Sequence, residues 1–467
     1  PGHPRRRRGG AWVAPLRGMS PVSPARVEAL RILCRVEEDQ AFADLALEAA
    51  LERAKLPARD RALTTEIVYG TLRWQRRLDW ILAPHSRRRL DRLDPWVRNL
   101  LRLTAYQLQF LSKVPAYAAV NDAVALAKRR AHGEAAPFIN AVLRSLTRSG
   151  GNLPPFPEDP GEAAGTRLAF PPWLTRRWAS RLGLDEAERL MTALDERPEV
   201  TIRANLLTCT RAQLAQRLVK EEEVACSATT FAPEGLALEQ PGPAFRFKAF
   251  TEGWFTVQDE ASILVGHLLA PKLGETVADV CAAPGTKTTH LAALMQNSGK
   301  VVAMDPHAAR LKLVAQSAMR LGITIVECHG GSAEALAPRF KDRFDRVLVD
   351  APCSNLGVLR RNPDVKWRRT EADLPRLAER QRAILDAAAS MCRPGGTLVY
   401  ATCSLEPEEN EGIVLPFLEA HPEWRLDPPA EAEFPIPFEP PGVLRCLPHK
   451  HGTDGFTAFR LKRGNER

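Results

Sequence analysis

Residues 277–288 read Val277-Ala278-Asp279-Val280-Cys281-Ala282-Ala283-Pro284-Gly285-Thr286-Lys287-Thr288. A short apolar strand runs straight into a Pro-Gly turn. In a doubly wound sheet the turn after the first strand faces the ligand crevice, and a glycine there lets the backbone approach a cofactor closely. Outward from this stretch, Val301–Met304, Ile323–Val326, Val347–Val349 and Thr397–Tyr400 are further short apolar runs separated by helical sequence. That alternation predicts a parallel sheet covered by helices on both faces.

The turn fits neither common phosphate cradle. A P-loop requires glycine where Cys281 and Thr286 stand, and a dinucleotide fingerprint requires two more glycines than Gly285 supplies. Asp305 closes the second predicted strand, where a carboxylate accepts from a ribose hydroxyl pair. A nucleoside cofactor without a pyrophosphate satisfies both facts, and S-adenosylmethionine is the common one. The fourth strand leads into Asp350-Ala351-Pro352-Cys353-Ser354 and the fifth into Thr402-Cys403-Ser404. Carboxyl ends of neighbouring strands converge on one crevice, so Cys353 and Cys403 are expected to lie close together, with Lys287 near enough to favour a thiolate.

The chain has 467 residues, enough for about three domains. Hydrophobic residues make up 45% and charged residues 26%, and no apolar run approaches the roughly 20 residues that span a bilayer, which excludes a disordered chain and a helical membrane protein. Charge is uneven: residues 1–150 hold 27 basic against 14 acidic side chains, the remainder 38 against 42. A polyanionic partner met by the N-terminal third is implied. Nine cysteines without a Cys-x-x-Cys pair argue against a disulfide framework or zinc ribbon and for a reducing, cytoplasmic setting. No metal site is expected. Residues 1–23 read as a disordered basic arm. Residues 24–150 read as an all-α bundle of about five to seven helices punctuated by prolines, and 151–170 as a Pro/Gly-rich linker. A small α+β subdomain over 171–252 and the α/β domain over 253–463 follow. No coiled-coil heptad is present, so a monomer is expected.

The stretches Asp279–Thr289, Asp350–Trp367 and Tyr400–Gly412 resemble the RNA cytosine-5 methyltransferases of the Sun/RsmB/Nol1 group. Val68-Tyr69-Gly70-Thr71-Leu72-Arg73-Trp74, Leu103-Thr104-Ala105-Tyr106-Gln107-Leu108 and Asn140-Ala141-Val142-Leu143-Arg144 resemble an RNA-binding NusB-like domain. The resemblance covers nearly all of 25–462. It implies a multidomain fold: an N-terminal NusB-like bundle, a small α+β RNA-recognition subdomain, and a C-terminal Rossmann-like class I methyltransferase domain. The implied reaction is methylation of carbon 5 of a cytosine in a single-stranded or loop region of small-subunit ribosomal RNA.

Under that resemblance Cys403 is the nucleophile that adds to carbon 6, and Cys353 assists breakdown of the adduct. Asp350 binds the cytosine edge, and Lys287 organises the site. Cys281, Ala282, Ala283, Pro284, Gly285, Thr286, Lys287, Asp305, Ser332 and Asp350 are expected around S-adenosylmethionine. Thr286 stands where the family has a second glycine, a departure that matters if the position needs positive φ. His329-Gly330-Gly331-Ser332 replaces an aspartate toward the adenine, leaving Ser332 or a backbone group in its place. Asn355 stands where a small residue is usual. The basic run Arg360, Arg361, Lys366, Arg368 and Arg369 beside the crevice is expected to contact RNA phosphates. Two other readings remain: a transfer RNA cytosine-5 methyltransferase, and a non-catalytic RNA-binding assembly factor.

Overall fold

The computed structural model describes residues 22–130, 135–239 and 242–465, so the expected basic arm lies, up to residue 21, outside the described residues. The chain divides into two units, Pro1–Asp195 with Asn362–Arg368, and Glu196–Arg361 with Arg369–Arg467. In the first, seven α-helices are described between Pro24 and Arg148: Pro24–Glu38, Ala43–Ala54, Ala58–Arg73, Gln75–Leu82, Pro95–Phe110, Ala116–Arg129 and Ala135–Arg148. Prolines mark their ends, as a fixed φ and a missing N–H require. Pro95 opens its helix behind Asp94, whose carboxylate accepts the Trp96 N–H at 2.9 Å, while Pro57 and Pro115 stand just ahead of theirs. Helix Pro95–Phe110 packs against five of the others and is buried around most of its circumference between Val97 and Gln107. Its Tyr106 ring lies directly on Gly70, where a Cβ would fall 1.9 Å from the ring, so this approach requires glycine.

The span expected as a linker contains helix Pro160–Arg167, capped by the Asp159 carboxylate on the Glu162 N–H, and by contact Pro172–Leu182 and Leu184–Asp195 group with the first unit. Phe170 and Trp178 are buried there, with ring centroids 5.7 Å apart.

The second unit holds two sheets. The smaller is antiparallel and comprises β1 (Val200–Ala204), β2 (Cys226–Ala228), β3 (Gly235–Leu238) and β4 (Phe255–Val257) in the order β2-β3-β1-β4. Helix Arg211–Glu221 enters it through a capping box between Thr210 and Gln213. Because β4 pairs with β1, the small sheet extends past residue 252 into the span expected of the α/β domain.

The larger sheet is built from β5 (Thr276–Asp279), β6 (Lys300–Asp305), β7 (Val326–Gly330), β8 (Phe344–Asp350), β9 (Cys392–Thr402), β10 (Trp424–Leu426), β11 (Phe438–Glu439), β12 (Val443–Cys446) and β13 (Phe456–Arg463). Its order is β11-β12-β13-β9-β8-β5-β6-β7, with β10 also on β13. Strands β5 to β9 are parallel, as expected; β10 to β13 extend the sheet antiparallel. The third strand sits later than the predicted Ile323–Val326. It is an edge strand whose Glu327, Cys328 and His329 are polar or exposed, while Ile323 to Ile325 form its approach. The chain steps from β5 through β6 to β7 and then returns to β8 on the other side of β5, so the switch point opens at the carboxyl ends of β5 and β8. Among the described residues no helix is long and apolar enough to cross a membrane.

Residues 362–368 belong to the helical unit through buried polar contacts. Lys366 Nζ donates to Asp195 Oδ1 at 2.5 Å and to the Arg73 and Ala169 carbonyls, and lies 3.9 Å from the Phe170 ring centre. Trp367 Nε1 donates to the Leu72 carbonyl at 2.6 Å. Lys366→Met strands the Asp195 carboxylate in the interior, and urea unfolding of this unit is expected to show a loss of about 3–5 kcal/mol. Adding Asp195→Asn recovers part of it, because no unpaired charge then remains.

Candidate active site

β8 and β9 pair in parallel with Asp350 opposite Ala401, and the Ala351 N–H extends the ladder onto the Ala401 carbonyl at 2.8 Å. The loops leaving both carboxyl ends therefore start side by side. Cys353 Sγ and Cys403 Sγ are 3.2 Å apart, and Asn355 Oδ1 accepts from both thiols, at 3.5 and 3.2 Å. Asn355 has φ of 64°, a left-handed conformation that asparagine tolerates better than most residues. Cys353 is buried and Cys403 half-buried. The hydrogen bond with Cys403, burial and the nearby Glu409 charge push the Cys353 thiol well above its ordinary pKa.

Lys287 lies in the first turn of helix Thr286–Leu294, and its Nζ donates to Asp350 Oδ2 at 2.7 Å and sits 4.9 Å from the Phe456 ring centre. Burial alone would lower its pKa, but the Asp350 carboxylate more than offsets this and keeps the ammonium above its ordinary value. The four residues Cys403, Cys353, Asp350 and Lys287 are therefore grouped at one carboxyl edge.

The turn Cys281–Gly285 is stapled to the end of β6 by the Ala282 N–H on the Met304 carbonyl at 2.9 Å, and Arg310 Nη2 donates to the Ala283 carbonyl at 2.8 Å. Gly285 has φ of 106°, and a Cβ there would meet the Val314 backbone at 2.9 Å. Glycine is thus required at 285. Thr286 is helical with ordinary φ, so the threonine at the family's second-glycine position carries no backbone strain. Asp279 is buried at the end of β5; Thr288 Oγ1 donates to its Oδ2 at 2.7 Å, while its Oδ1 has no partner. Burial, only partly countered by the Thr288 bond, raises its pKa to about 7. Asp305 is buried too and accepts the His307 N–H at 2.8 Å, with Arg310 Nη1 3.6 Å from its other oxygen. An orphaned carboxylate oxygen on Asp279 and the Asp305 carboxylate at the next strand tip are acceptors of the kind that the ammonium and ribose hydroxyls of S-adenosylmethionine need. Ser332 caps helix Ala333–Phe340 by accepting the Ala335 N–H at 3.4 Å, a local role that competes with any bond to an adenine.

The basic run expected to contact RNA phosphates is engaged within the chain. Arg360 and Arg361 form a four-charge cluster with Asp259 and Asp454: Arg360 Nε lies 2.6 Å from Asp454 Oδ1, and Arg361 Nη2 2.8 Å from Asp259 Oδ2. Lys366 is enclosed with Asp195, Arg368 lies 3.9 Å from the Phe42 ring centre and 3.5 Å from Asp364, and Arg369 donates to the Ser354 and Cys353 carbonyls. These charges hold loops together; they do not form an open cationic face. One group among the described residues has metal-ligand spacing, Glu234, His267 and His290. There both imidazole Nε2 atoms lie within 3.0 Å of Glu234 Oε1, and burial, with Arg203 nearby, lowers the His290 pKa to about 3. His290 Nδ1 has no partner, whereas a metal-bound imidazole almost always donates through its second nitrogen. The set fits two imidazoles hydrogen-bonded to a buried carboxylate better than a metal centre.

Glu409 and Phe456 carry no signal in the sequence that marks them as part of the site, and Asn355 stands out there only as a departure from the family pattern. Glu409 does lie within the Tyr400–Gly412 stretch that carries the resemblance, but no spacing rule marks a buried carboxylate.

Comparison with known proteins gives three matched families: 16S rRNA methyltransferase RsmB/F over residues 266–462, the NusB family over 23–148, and an RsmF/B-like ferredoxin-like domain over 170–244. The chain is 39% identical to the "Probable ribosomal RNA small subunit methyltransferase B" of Bacillus subtilis (strain 168) over 441 residues, 93% of this chain and 98% of that one. It is similar to the solved structure of PH0851, with 31% identity and a TM-score of 0.81, covering 95% of this chain and all of that one. It is also similar to NSun6 from Pyrococcus horikoshii solved with SFG, with 26% identity and a TM-score of 0.56, covering 64% and 99%.

A pKa of about 7 in the fold, against 3.8 for the free group, means that the folded chain holds a proton on Asp279 that the unfolded chain has lost. Its contribution to stability therefore falls as pH rises from about 4 to about 7 and then levels. Relative to Asp279→Asn, wild type is expected to lose urea resistance over that window; parallel curves would contradict it.

Proposed function

The chain belongs to the RsmB/F family of 16S rRNA methyltransferases, S-adenosylmethionine-dependent enzymes of small-subunit ribosomal RNA, and on that basis we propose that it methylates carbon 5 of a cytosine through a covalent bond between Cys403 and the base. The observation that carries this reading is the pair of cysteines 3.2 Å apart, at the ends of adjacent strands, beside the Lys287–Asp350 ion pair. Carbon 5 of cytosine is a poor nucleophile until a thiolate adds at carbon 6. The Cys403 sulfur forms that bond, and the ring becomes an enamine-like donor. Asp350, held by Lys287, faces the cytosine edge and favours a proton at ring nitrogen 3 as negative charge develops there, an interaction stronger in the transition state than in the ground state.

When bound, S-adenosylmethionine supplies an electrophilic methyl group; the Cys281–Thr286 turn, Asp279 and Asp305 are the residues that would hold it. After transfer, the carbon-5 proton passes to water, the carbon 5–carbon 6 double bond re-forms, and the bond from carbon 6 to Cys403 breaks with its electron pair returning to the sulfur. The S–H of Cys353 hydrogen-bonds to the departing Cys403 thiolate and stabilises it without giving up its proton. The target base has to leave its stack to reach this crevice, so a single-stranded or loop region suits it better than a duplex. The small-subunit names of the relatives favour ribosomal over transfer RNA. We take the enzyme to act as a monomer in the cytoplasm.

The test uses unmethylated small-subunit ribosomal RNA and S-adenosylmethionine. Cys403→Ala is expected to lower methyl incorporation at least about a thousandfold, in line with removal of other covalent nucleophiles. Cys353→Ala is expected to accumulate a denaturant-resistant protein–RNA complex whose crosslinked peptide contains Cys403. A crosslink through Cys353 in Cys403→Ala, or a methyl group found on another atom, would overturn the assignment.

A further inference from the structure

One carboxylate touches both cysteine loops, and no step above uses it. Glu409 is wholly buried in the short helical turn after β9. Its Oε1 accepts the Ser354 N–H at 2.8 Å and the Gln381 Nε2 at 2.9 Å; its Oε2 accepts the hydroxyls of Ser354 and Ser404. Ser354 and Ser404 are the residues immediately after Cys353 and Cys403, and their hydroxyl oxygens are 3.2 Å apart. Gln381 also donates to the Pro352 carbonyl at 3.0 Å, and the Tyr400 hydroxyl donates to the Glu409 carbonyl at 2.8 Å, so the clamp is itself fixed from helix Asp373–Met391 and from β9. The contacts around this carboxylate contain four donors and no cation. A buried anion held only by neutral donors keeps its full field on its neighbours in a low-dielectric setting.

We propose that Glu409 is the positioning residue of this site: it clamps the Cys353 and Cys403 loops so that the sulfurs face each other, and its charge holds the shared proton on Cys353, leaving Cys403 as the nucleophile. The proposal rests on the assignment of Cys403 given above. The field has a clear direction. The elevated pKa of Cys353 includes a contribution from Glu409. The other groups that face the pair are Asn355, whose Oδ1 accepts from both thiols, the Tyr400 phenol, Asp350 through Lys287, and Arg369, which donates to the Cys353 carbonyl. Of these only Asn355 also joins the two loops, and it is uncharged; Glu409 is the carboxylate that holds both.

The test titrates Cys353 by itself. In a Cys403→Ala background without RNA, the rate of iodoacetamide alkylation of Cys353, resolved by peptide mapping, is followed against pH; burial lowers the plateau, and the midpoint reports the thiol. Glu409→Gln keeps the size and removes the charge; its oxygen still accepts from the Ser354 N–H and Gln381, while its amide donates to the serine hydroxyls, which turn to accept. It is expected to lower the midpoint by about one unit, roughly tenfold more thiolate at a fixed pH below it. In the otherwise wild-type chain Glu409→Gln is expected to lower kcat while leaving KM for S-adenosylmethionine unchanged. Glu409→Asp retains the charge and should return the midpoint toward wild type, while its shorter reach leaves turnover reduced. A midpoint unmoved by Glu409→Gln, in a protein that still binds S-adenosylmethionine, overturns the proposal. If Glu409→Gln does not fold, Ser404→Ala serves instead: it removes one bond to the clamp and keeps the charge, and an undiminished rate of adduct formation at Cys403 is the overturning result. Failure of the Cys403 assignment is separately visible, since Cys353→Ala would then form no Cys403–RNA adduct even with the Cys353 midpoint shifted as expected.

Discussion

The parallel pairing of β8 with β9 is the constraint on which the catalytic edge depends. Parallel neighbours finish at the same edge, so two loops separated by 50 residues of sequence leave the sheet side by side and bring their sulfurs to 3.2 Å. β5 pairs with β8 on its other side, and the helix after β5 therefore starts within reach of the Asp350 carboxylate at the end of β8. One slip of register in either ladder would turn alternate side chains to the opposite face of the sheet and separate these groups. Burial of Val347, Leu348, Val349, Leu398, Val399 and Tyr400 on both faces makes such a slip costly, because no face of either strand is free to exchange places with water.

Much of this arrangement is legible in the amino-acid sequence, for a definite reason. Strands buried on both faces must be apolar throughout, and β5, β6, β8 and β9 appear in the sequence as short apolar runs at the expected places. The convergence of carboxyl ends then brings Cys353, Cys403, Asp350 and Lys287 together without knowledge of a single contact. Where burial weakens, so does legibility. β7 lies at the sheet edge with its side chains partly in water, and the apolar residues that lead into it carry a stronger strand pattern than the strand itself. β10 to β13 are short or antiparallel and carry no comparable signature. The helices of 172–195 look in sequence like part of the α+β subdomain, because amphipathic periodicity shows that a face is buried and says nothing of which core receives it.

Charge is the least legible property, and the physics explains why. A sequence shows that Arg360, Arg361 and Lys366 are cationic but not that Asp454, Asp259 and Asp195 wait 94, 102 and 171 residues away. A cationic side chain that meets a carboxylate in the interior is withdrawn from any polyanion; one that meets none remains available. The same blindness hides Glu409, whose partners are neutral serines and a glutamine. Both cases concern groups whose burial is tolerable only because a long-range partner satisfies them, and long-range partners have no spacing.

The cofactor turn shows how a local departure is accommodated by a distant residue. With glycine at 285 and threonine at 286, only one position of the turn has the freedom of glycine, and it is the one whose φ is positive and whose Cα lies against Val314. The threonine enters the helix at once, and its carbonyl accepts from Arg203 Nη1 at 2.8 Å, while Arg203 Nη2 donates to Thr289 Oγ1 at 3.2 Å. Arg203 belongs to β1 of the small sheet and is itself buried, with a further bond to Gln258 just beyond β4. The first turn of the helix is therefore held from outside by a guanidinium, and the backbone that carries Lys287 to Asp350 is fixed jointly by both sheets of the second unit. A second glycine would add freedom to a segment whose carbonyl is already tied down; the β-branched threonine removes it. The small sheet thus contributes to the geometry of the active site, whatever else its surface binds.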